Sequence, residues 1–438
     1  MIKNYLKIAC RSLRRNRLFS AINITGLAVG VSSCVLIFLY VQYELGFDQF
    51  NTNADRLYRL TVQMHQPEED SYYAATSPRL APTIQAAFPE VEKSTRIIYS
   101  KRLLSYNHKK FYETRTMFAD SSLLQMFTFP MLAGNPAKAL AQPYSIVLTE
   151  SAAKNYFGKD QALGKIMKLS DTINLTVTGI IKDIPQNSHF SFNCVVSRST
   201  ISDLNKSTGS KYPNEDDWFF LDSHTYLLLR KNTDALALQG KIDTYIQKQM
   251  APERKEYGMW LNTFLQPLKD IHLKSNYEAE IKPETNSDIR YVYIFSGTAL
   301  LILLIACCNF INLSTAKSLN RSKEIGLRKV IGAKRGQLIS QFMGESFTLT
   351  VIASAISVIL VVLALPGFNA FTQRHLAFNS SVIFVYLFII LGVGVLSGLY
   401  PALFMSSFQP VKALRGHIRH GWKDIFFRKG LVVFQFAI

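Results

Sequence analysis

The chain has 438 residues, 48% of them apolar, and a formal net charge of +18. Its length exceeds what one core holds, so two or more modules are expected. The charge is uneven: residues 42–290 carry 29 Lys+Arg against 28 Asp+Glu, while the remainder carries 20 basic residues and only three acids, Glu324, Glu345 and Asp424. A nucleic-acid binder carries its charge on a folded domain. Here the charge flanks apolar runs, which is the membrane pattern. Five cysteines make no disulfide framework, because Cys10, Cys34, Cys307 and Cys308 lie in or beside those runs and Cys194 stands alone in the middle.

Met1–Leu18 is a basic arm with Lys3, Lys7, Arg11, Arg14, Arg15 and Arg17. Phe19–Val41 follows as a first membrane span, too long for a signal-peptide core and without a small-residue cleavage site after Tyr40. Val31-Ser32-Ser33-Cys34 has the outline of a lipoprotein box, but apolar sequence continues past the cysteine. Gly26 and Gly30, at i, i+4, offer a place for another helix to come close.

Residues 42–290 contain no long apolar run and are expected to form a soluble domain beyond the membrane. Phe47–Gln63 reads as a loop, a short helix with Asn53 or Asp55 at its start, and a strand. Pro78–Phe88, Ser121–Phe127, Glu150–Phe157 and Asp234–Gln249 read as helices, with Thr149 capping the third. Thr95–Leu104, Phe111–Phe118, Ile166–Leu169, Asn174–Ile181 and Ser223–Arg230 read as strands, the third and fourth as a hairpin. The mixture has no βαβ beat, so an α+β domain is expected.

Three further spans are expected at Tyr291–Leu313, Ser346–Leu365 and Val382–Leu403, each about 20 residues and so long enough for a hydrocarbon core of about 30 Å. Gly394 and Gly398 repeat the close-approach spacing, and Tyr400-Pro401-Ala402 closes the last span. The segment 314–345 carries Lys317, Arg321, Lys323, Arg328, Lys329, Lys334 and Arg335. The outer connection 366–381 carries only Arg374, and 404–430 carries Lys412, Arg415, Arg419, Lys423, Arg428 and Lys429. Basic segments stay in the cytoplasm, so the N-terminus and 314–345 are placed inside and 42–290 outside. The closing LVVFQFAI (431–438) reads as the start of a fifth span, and the chain as the first half of a longer, duplicated protein.

Within 314–345, Leu327, Val330 and Ile331 have i, i+3, i+4 spacing and form one apolar face of a short helix. Arg328 and Lys329 flank that face, and Gly332 is a stop signal. Such a helix is built for a partner surface; composition alone also accommodates one lying on anionic lipid.

The string E-I-G-L-R-K-V-I-G-A of Glu324–Ala333 resembles the signature of the MacB/FtsX-type permeases of ABC transporters. In that family the segment is the coupling helix that docks on a separate ATPase. Carried over by position, the docking residues are Lys323, Glu324, Ile325, Gly326, Leu327, Arg328, Lys329, Val330, Ile331, Gly332, Ala333 and Lys334. Phe118–Leu140, Ser145–Gly158 and Val177–Phe190 are similar to that family's extracytoplasmic domain, and Gly398–Ala402 and Gln409–Arg415 to its end-of-module pattern. The resemblance implies an α-helical integral membrane protein with a large α+β extracytoplasmic domain, in the bacterial inner membrane. It implies a permease subunit in which ATP hydrolysis by the separate ATPase moves the outer domain, exporting or extracting an envelope substrate. A signalling subunit controlling an envelope enzyme or sensor kinase has the same architecture. An ATPase-independent receptor is the further alternative. The implied partners are the ATPase, which binds the ATP, membrane lipid, a second permease half or second copy, and a periplasmic adaptor or envelope protein, with no nucleic acid.

The chain is not read as an enzyme and is expected to carry no cofactor of its own. A phosphate loop needs G-x-x-x-x-G-K-[ST], and Gly332-Ala333-Lys334-Arg335-Gly336-Gln337 has the wrong spacing. There is no H-E-x-x-H and no paired C-x-x-C, and His417 and His420 read as surface residues. Glu215-Asp216-Asp217 lacks the glycine and late glutamate of a calcium loop and reads as a solvated turn. His189 reads as a hydrogen-bonded loop residue, since no G-x-S-x-G elbow supports a triad. Asn309 and Asn312, near the inner end of the second span, are expected to bond across helices or sit at the headgroups.

Overall fold

The computed structural model describes residues 17–67, 69–208, 215–275, 277, 286–406, 430, 433 and 435. Most of the basic arm with Cys10, the tail with His417 and His420, and most of 431–438 lie outside the described residues. In chain order the elements begin with α1 (Arg17–Leu45), β1 (Leu57–His65), β2 (Asp70–Tyr73), α2 (Leu80–Ala87), β3 (Val91–Tyr106), β4 (Lys109–Ala119) and α3 (Leu123–Met126). They continue with β5 (Met131–Gly134), β6 (Ser145–Thr149), α4 (Glu150–Phe157), β7 (Ile166–Leu169), β8 (Ile173–Ile181), β9 (Cys194–Ser197) and α5 (Ser199–Thr208). The last group is β10 (His224–Leu229), α6 (Ala235–Gln249), α7 (Ala251–Tyr257), β11 (Trp260–Pro267), α8 (Ile289–Asn320), α9 (Ser322–Val330), α10 (Arg335–Thr372) and α11 (Ser380–Ser406). The chain divides into a helical unit, Met1–Tyr43 with Arg290–Ile438, and an α+β unit, Glu44–Ile289.

Four helices of the helical unit are long and apolar enough to cross a membrane. They share a core of Leu27, Val31, Val35, Cys307, Ala353, Val361, Tyr386 and Val393. The third helix differs from the expected Ser346–Leu365. It starts at Arg335, where Lys334 N–H donates to Gln337 Oε1 at 3.0 Å, and runs through Pro366 to Thr372. Its first turns are amphipathic and bury Leu338 and Phe342 with Ile325 and Ala402. The proline forfeits one backbone bond, a loss that a packed membrane helix tolerates. Beyond it, Asn369 pins the connection to α11, donating to Leu376 O and accepting from Leu376 N.

Three glycines set helix spacing. A methyl on Gly30 would lie 2.8 Å from Ala306 Cβ, one on Gly394 2.6 Å from Phe347 Cε1, and one on Gly398 2.9 Å from Ser346 Cβ. Gly26 is looser, its nearest neighbour being the Asn309 amide at 3.5 Å. Asn309 thus faces α1. Asn312 Oδ1 is buried with no side-chain or backbone partner among the described residues.

The α+β unit is a mixed sheet in the order β11-β1-β10-β3-β4-β9-β6-β8-β5. Most pairs are antiparallel, but β4–β9 and β6–β8 are parallel. β7 pairs with both β3 and β8. This closes β3, β4, β9, β6, β8 and β7 into a ring, which leaves those six strands no free edge. Alternating residues fill it: Leu104, Phe118, Ile146, Leu148, Met167, Leu169, Leu175, Val177, Cys194 and Val196. Tyr156 and Phe157 of α4 join the same cluster. That helix starts where Thr149 Oγ1 accepts from Ala152 N–H at 3.3 Å.

The strands β11, β1 and β10 extend from the ring as a wing. One face is covered by α2 and α6, which bury Leu80, Ile84, Leu238, Ile242 and Ile246 on Leu60, Val62, Leu227 and Leu261. The 4-residue spacing of the α6 apolar positions builds that stripe, and Asp234 caps it by accepting from Leu236 and Ala237 N–H. The other face carries Leu57, Tyr226 and Leu228 under the loop aromatics Phe127, Phe129, Phe190 and Phe192.

Two expectations need correction. No helix forms between Phe47 and Leu57, because Asn53 instead donates its side chain to Met126 O and accepts from Arg56. The acidic turn is only partly solvated: Asp216 is exposed, but Glu215 accepts from Arg96 and from the buried Arg198, each at 2.7 Å. His189 is the hydrogen-bonded loop residue expected, and it is buried as well, with Nδ1 2.9 Å from Asp48 Oδ2 and Nε2 3.0 Å from Tyr226 Oη.

The α+β unit begins and ends at one histidine. His272 Nε2 lies 2.7 Å from Glu44 Oε2 at the last turn of α1, and both side chains are buried. Phe47 stacks on the His272 ring with centroids 3.3 Å apart. On the exit side, Ser287 N–H donates to His272 O and Ile289 N–H to Leu273 O.

Substitutions at a helix contact and at a buried ring test this packing. Gly394→Leu should cost the helical unit about 1–3 kcal/mol by overpacking on Phe347, while Gly392→Leu, with nothing within 4 Å, should change stability by less than about 0.5 kcal/mol. Thermal unfolding of the full chain in detergent checks the pair. The buried ring is His224 on β10, which lacks a protein hydrogen-bond partner on either ring nitrogen among the described residues. Desolvation, then the charges of Arg59 and His189, push it down from 6.5 to about 3. The fold therefore holds it neutral; its contribution is complete above pH 6.5 and is lost as pH falls toward 3. His224→Gln should show a smaller drop in denaturation midpoint than the unmodified chain between about pH 7 and about pH 5.

Candidate partner-docking site

The segment singled out by sequence folds as α9, a nine-residue helix with two different faces. Ile325 is buried, packed with Leu338, Phe342 and Ala402. Leu327, Val330 and Ile331 point away, exposed by 55%, 62% and 77%. The i, i+3, i+4 spacing therefore marks the outward face, and the inward anchor is the isoleucine two positions before it.

The helix ends as the glycine dictates. Gly332 has φ +98°, a conformation that costs glycine nothing. Ala333 N–H bonds Arg328 O and Gly332 N–H bonds Lys329 O, which is the Schellman pattern. The turn delivers Lys334 as the N-cap of α10.

The basic residues are largely engaged inside the unit. Arg321 Nη1 donates to Glu345 Oε2 at 2.8 Å. Arg328 reaches Glu324 Oε1 at 2.9 Å and also donates to Gln341. Lys329 Nζ donates to Ser406 O at 2.6 Å, and Arg335 Nε to Ser406 Oγ at 3.3 Å. Of the expected docking residues, Leu327, Val330, Ile331, Gly332 and Lys334 are exposed, Ala333, Glu324, Arg328 and Lys329 are half-buried, and Ile325 and Gly326 are buried. Lys323 is in the helix, and its side chain lies outside the described residues.

Sequence reasoning missed the residues that support α9 from beneath. Glu345 falls in the expected loop, and its position twenty-four residues after Arg321 carries no periodic signal. It is, however, one of only three acids outside 42–290, a rarity that marks a buried ion-pair partner. The α+β unit shows no comparable reactive group among the described residues: its one cysteine, Cys194, is buried, and burial pushes the thiol up to about 12.

A family model described as MacB-like periplasmic core domain matches residues 20–245, more than half of the chain. A second, described as FtsX-like permease C-terminal, matches 296–410 and so includes α9. The chain is 23% identical over 275 residues to the macrolide export ATP-binding/permease protein MacB of Bdellovibrio bacteriovorus, covering 61% of this chain and 38% of that protein. It is 22% identical over 437 residues to the ABC transporter permease YvrN of Bacillus subtilis, covering 94% and 99%. The chain thus spans under two-fifths of that MacB and nearly all of YvrN. Among solved structures, a domain of a permease protein from Porphyromonas gingivalis aligns with a TM-score of 0.43 at 22% identity, over 56% of this chain and 99% of that one. With a core-domain match over half its length and a permease match around the short helix, the chain belongs to the MacB/FtsX-type family of ABC transporter permeases.

Proposed function

We propose that the protein is the membrane subunit of an ABC transporter complex and that a separate ATPase docks on α9. The ATPase binds and hydrolyses the ATP; the permease contributes no nucleotide site. N-terminus and α9 face the cytoplasm, and the α+β unit faces the periplasm. Closure of the ATPase displaces α9, and the displacement is carried through the helices to the outer unit, acting on an envelope substrate as a rigid-body change.

The observation that carries this reading is the outward face of α9. Three large apolar side chains stand exposed at its C-terminal end, while Arg321, Arg328 and Lys329 are turned back onto Glu345, Gln341 and Ser406. A helix adapted to anionic lipid keeps its cations free for headgroups. This one uses them to fix itself and leaves its apolar residues for a protein groove, the usual mode of helix docking.

The test is binding of purified ABC ATPase subunits of the same genome to the full chain in lipid nanodiscs. Leu327→Asp with Ile331→Asp should weaken binding at least about 100-fold, the loss expected for two centre-of-interface anchors. Unchanged binding would remove the docking reading, as would external labelling of a cysteine at Lys334 in intact cells.

A further inference from the structure

The short helix is fastened to α10 at both ends. One fastening is covalent, the Gly332 turn leading into Arg335. The other is Arg321, which precedes the first turn of α9. Its guanidinium forks onto Glu345, Nη1 to Oε2 at 2.8 Å and Nη2 to Oε1 at 3.3 Å. It lies over the Phe342 ring, 5.3 Å from the centroid, and Nε reaches Glu324 at 3.3 Å. Both partners of the fork are largely withdrawn from water, at 12% and 15% exposure. Glu345 is ten residues into α10, about 15 Å along its axis. The short helix and the first turns of α10 thus form an antiparallel hairpin closed at one end by backbone and at the other by an ion pair.

The junction with α8 is different. Arg321 has φ −101° and ψ 3°, outside the helical well, so the rod is broken there. A push on α9 meets a bend at this point, whereas the fork resists both separation and rotation.

We propose that the Arg321–Glu345 pair is the strut through which displacement of the short helix reaches α10. Arg321 and Glu345 are positioning residues; neither belongs to the docking face. The proposal rests on the docking reading above. Without the fork, α9 is left to pivot between the bend at Arg321 and the turn at Gly332, still presenting its apolar face while α10 stays where it was.

The experiment places spin labels at Tyr293 on α8 and Phe371 on α10, both well exposed, in a background with the native cysteines replaced. The full chain is reconstituted in nanodiscs with the purified ATPase subunit, and the label distance is read with and without a non-hydrolysable ATP analogue. ATPase affinity is measured in parallel. With the pair intact, the analogue should shift the distance by about 2 Å or more. Glu345→Gln should keep affinity within about 3-fold, a change too small to remove a docking anchor, and cut the shift to less than half. Arg321→Glu should do the same, and Arg321→Glu with Glu345→Arg should recover most of the shift. The proposal is overturned if Glu345→Gln leaves the shift intact, or if the wild-type chain binds the ATPase and α10 does not move. It is equally overturned if affinity and shift fall together and the reversed pair restores neither, since the pair then only supports folding. A wild-type chain that binds no ATPase removes the docking reading itself, a result separable from all of these by the affinity measurement alone.

Discussion

A helix of nine residues does not hold itself together in water, because nucleation is costly and so few bonds follow it. The one in this protein exists because Ile325 is buried and Arg321 and Arg328 are held from beneath. That support fixes which side chains are left outside. With Ile325 facing in, a 100° step per residue brings Leu327, Val330 and Ile331 to the opposite side. The exposed apolar face is a geometric consequence of the anchor.

The α+β unit is tied together as one piece. Its six-strand ring is closed by β7, which pairs with β3 and β8 at once. A closed ring has no edge along which strands slide, so shear between neighbours has to break ladder bonds all round. The wing is sealed on both faces by separate apolar clusters. Arg96 on β3 and Arg198 just past β9 both grip Glu215, and this ties the 215–217 turn to the ring.

Much of this architecture is legible in the sequence, and what is not has identifiable causes. The spans are visible because an apolar run of about 20 residues suits the interior of a bilayer and little else. Glu150–Phe157 and Asp234–Gln249 are recognisable because capping residues precede periodic apolar positions, and both caps are made. The short strands β2, β5, β6, β9 and β11 carry no separate signal. Ser145–Thr149 and Cys194–Ser197 are buried on both faces, so they show no alternation for a period-2 pattern to detect. The expected start of the third span lies eleven residues past the true start of α10. Those first turns are amphipathic, with Arg335, Gln337, Gln341 and Glu345 among the apolar positions, which reads as loop until Leu338 and Phe342 are seen against Ile325. Long-range polar pairs are invisible throughout: Asp48–His189 and Glu44–His272 join residues that no local window contains.

The last of these pairs bears on how the α+β unit is held. The chain enters it past Glu44 and leaves it at Ile289, and both points are secured around His272, by the Glu44 hydrogen bond and the Phe47 stack on one side and by backbone bonds from Ser287 and Ile289 on the other. Removing either side chain would leave the other buried without this partner, which costs about 1–3 kcal/mol. Both points therefore meet the core at one place, the neighbourhood of Leu57, Tyr226, Leu268 and Ile271. That cluster includes residues from both the ring and the wing, so the two ends of the unit are fixed to the part of the core that its two halves share.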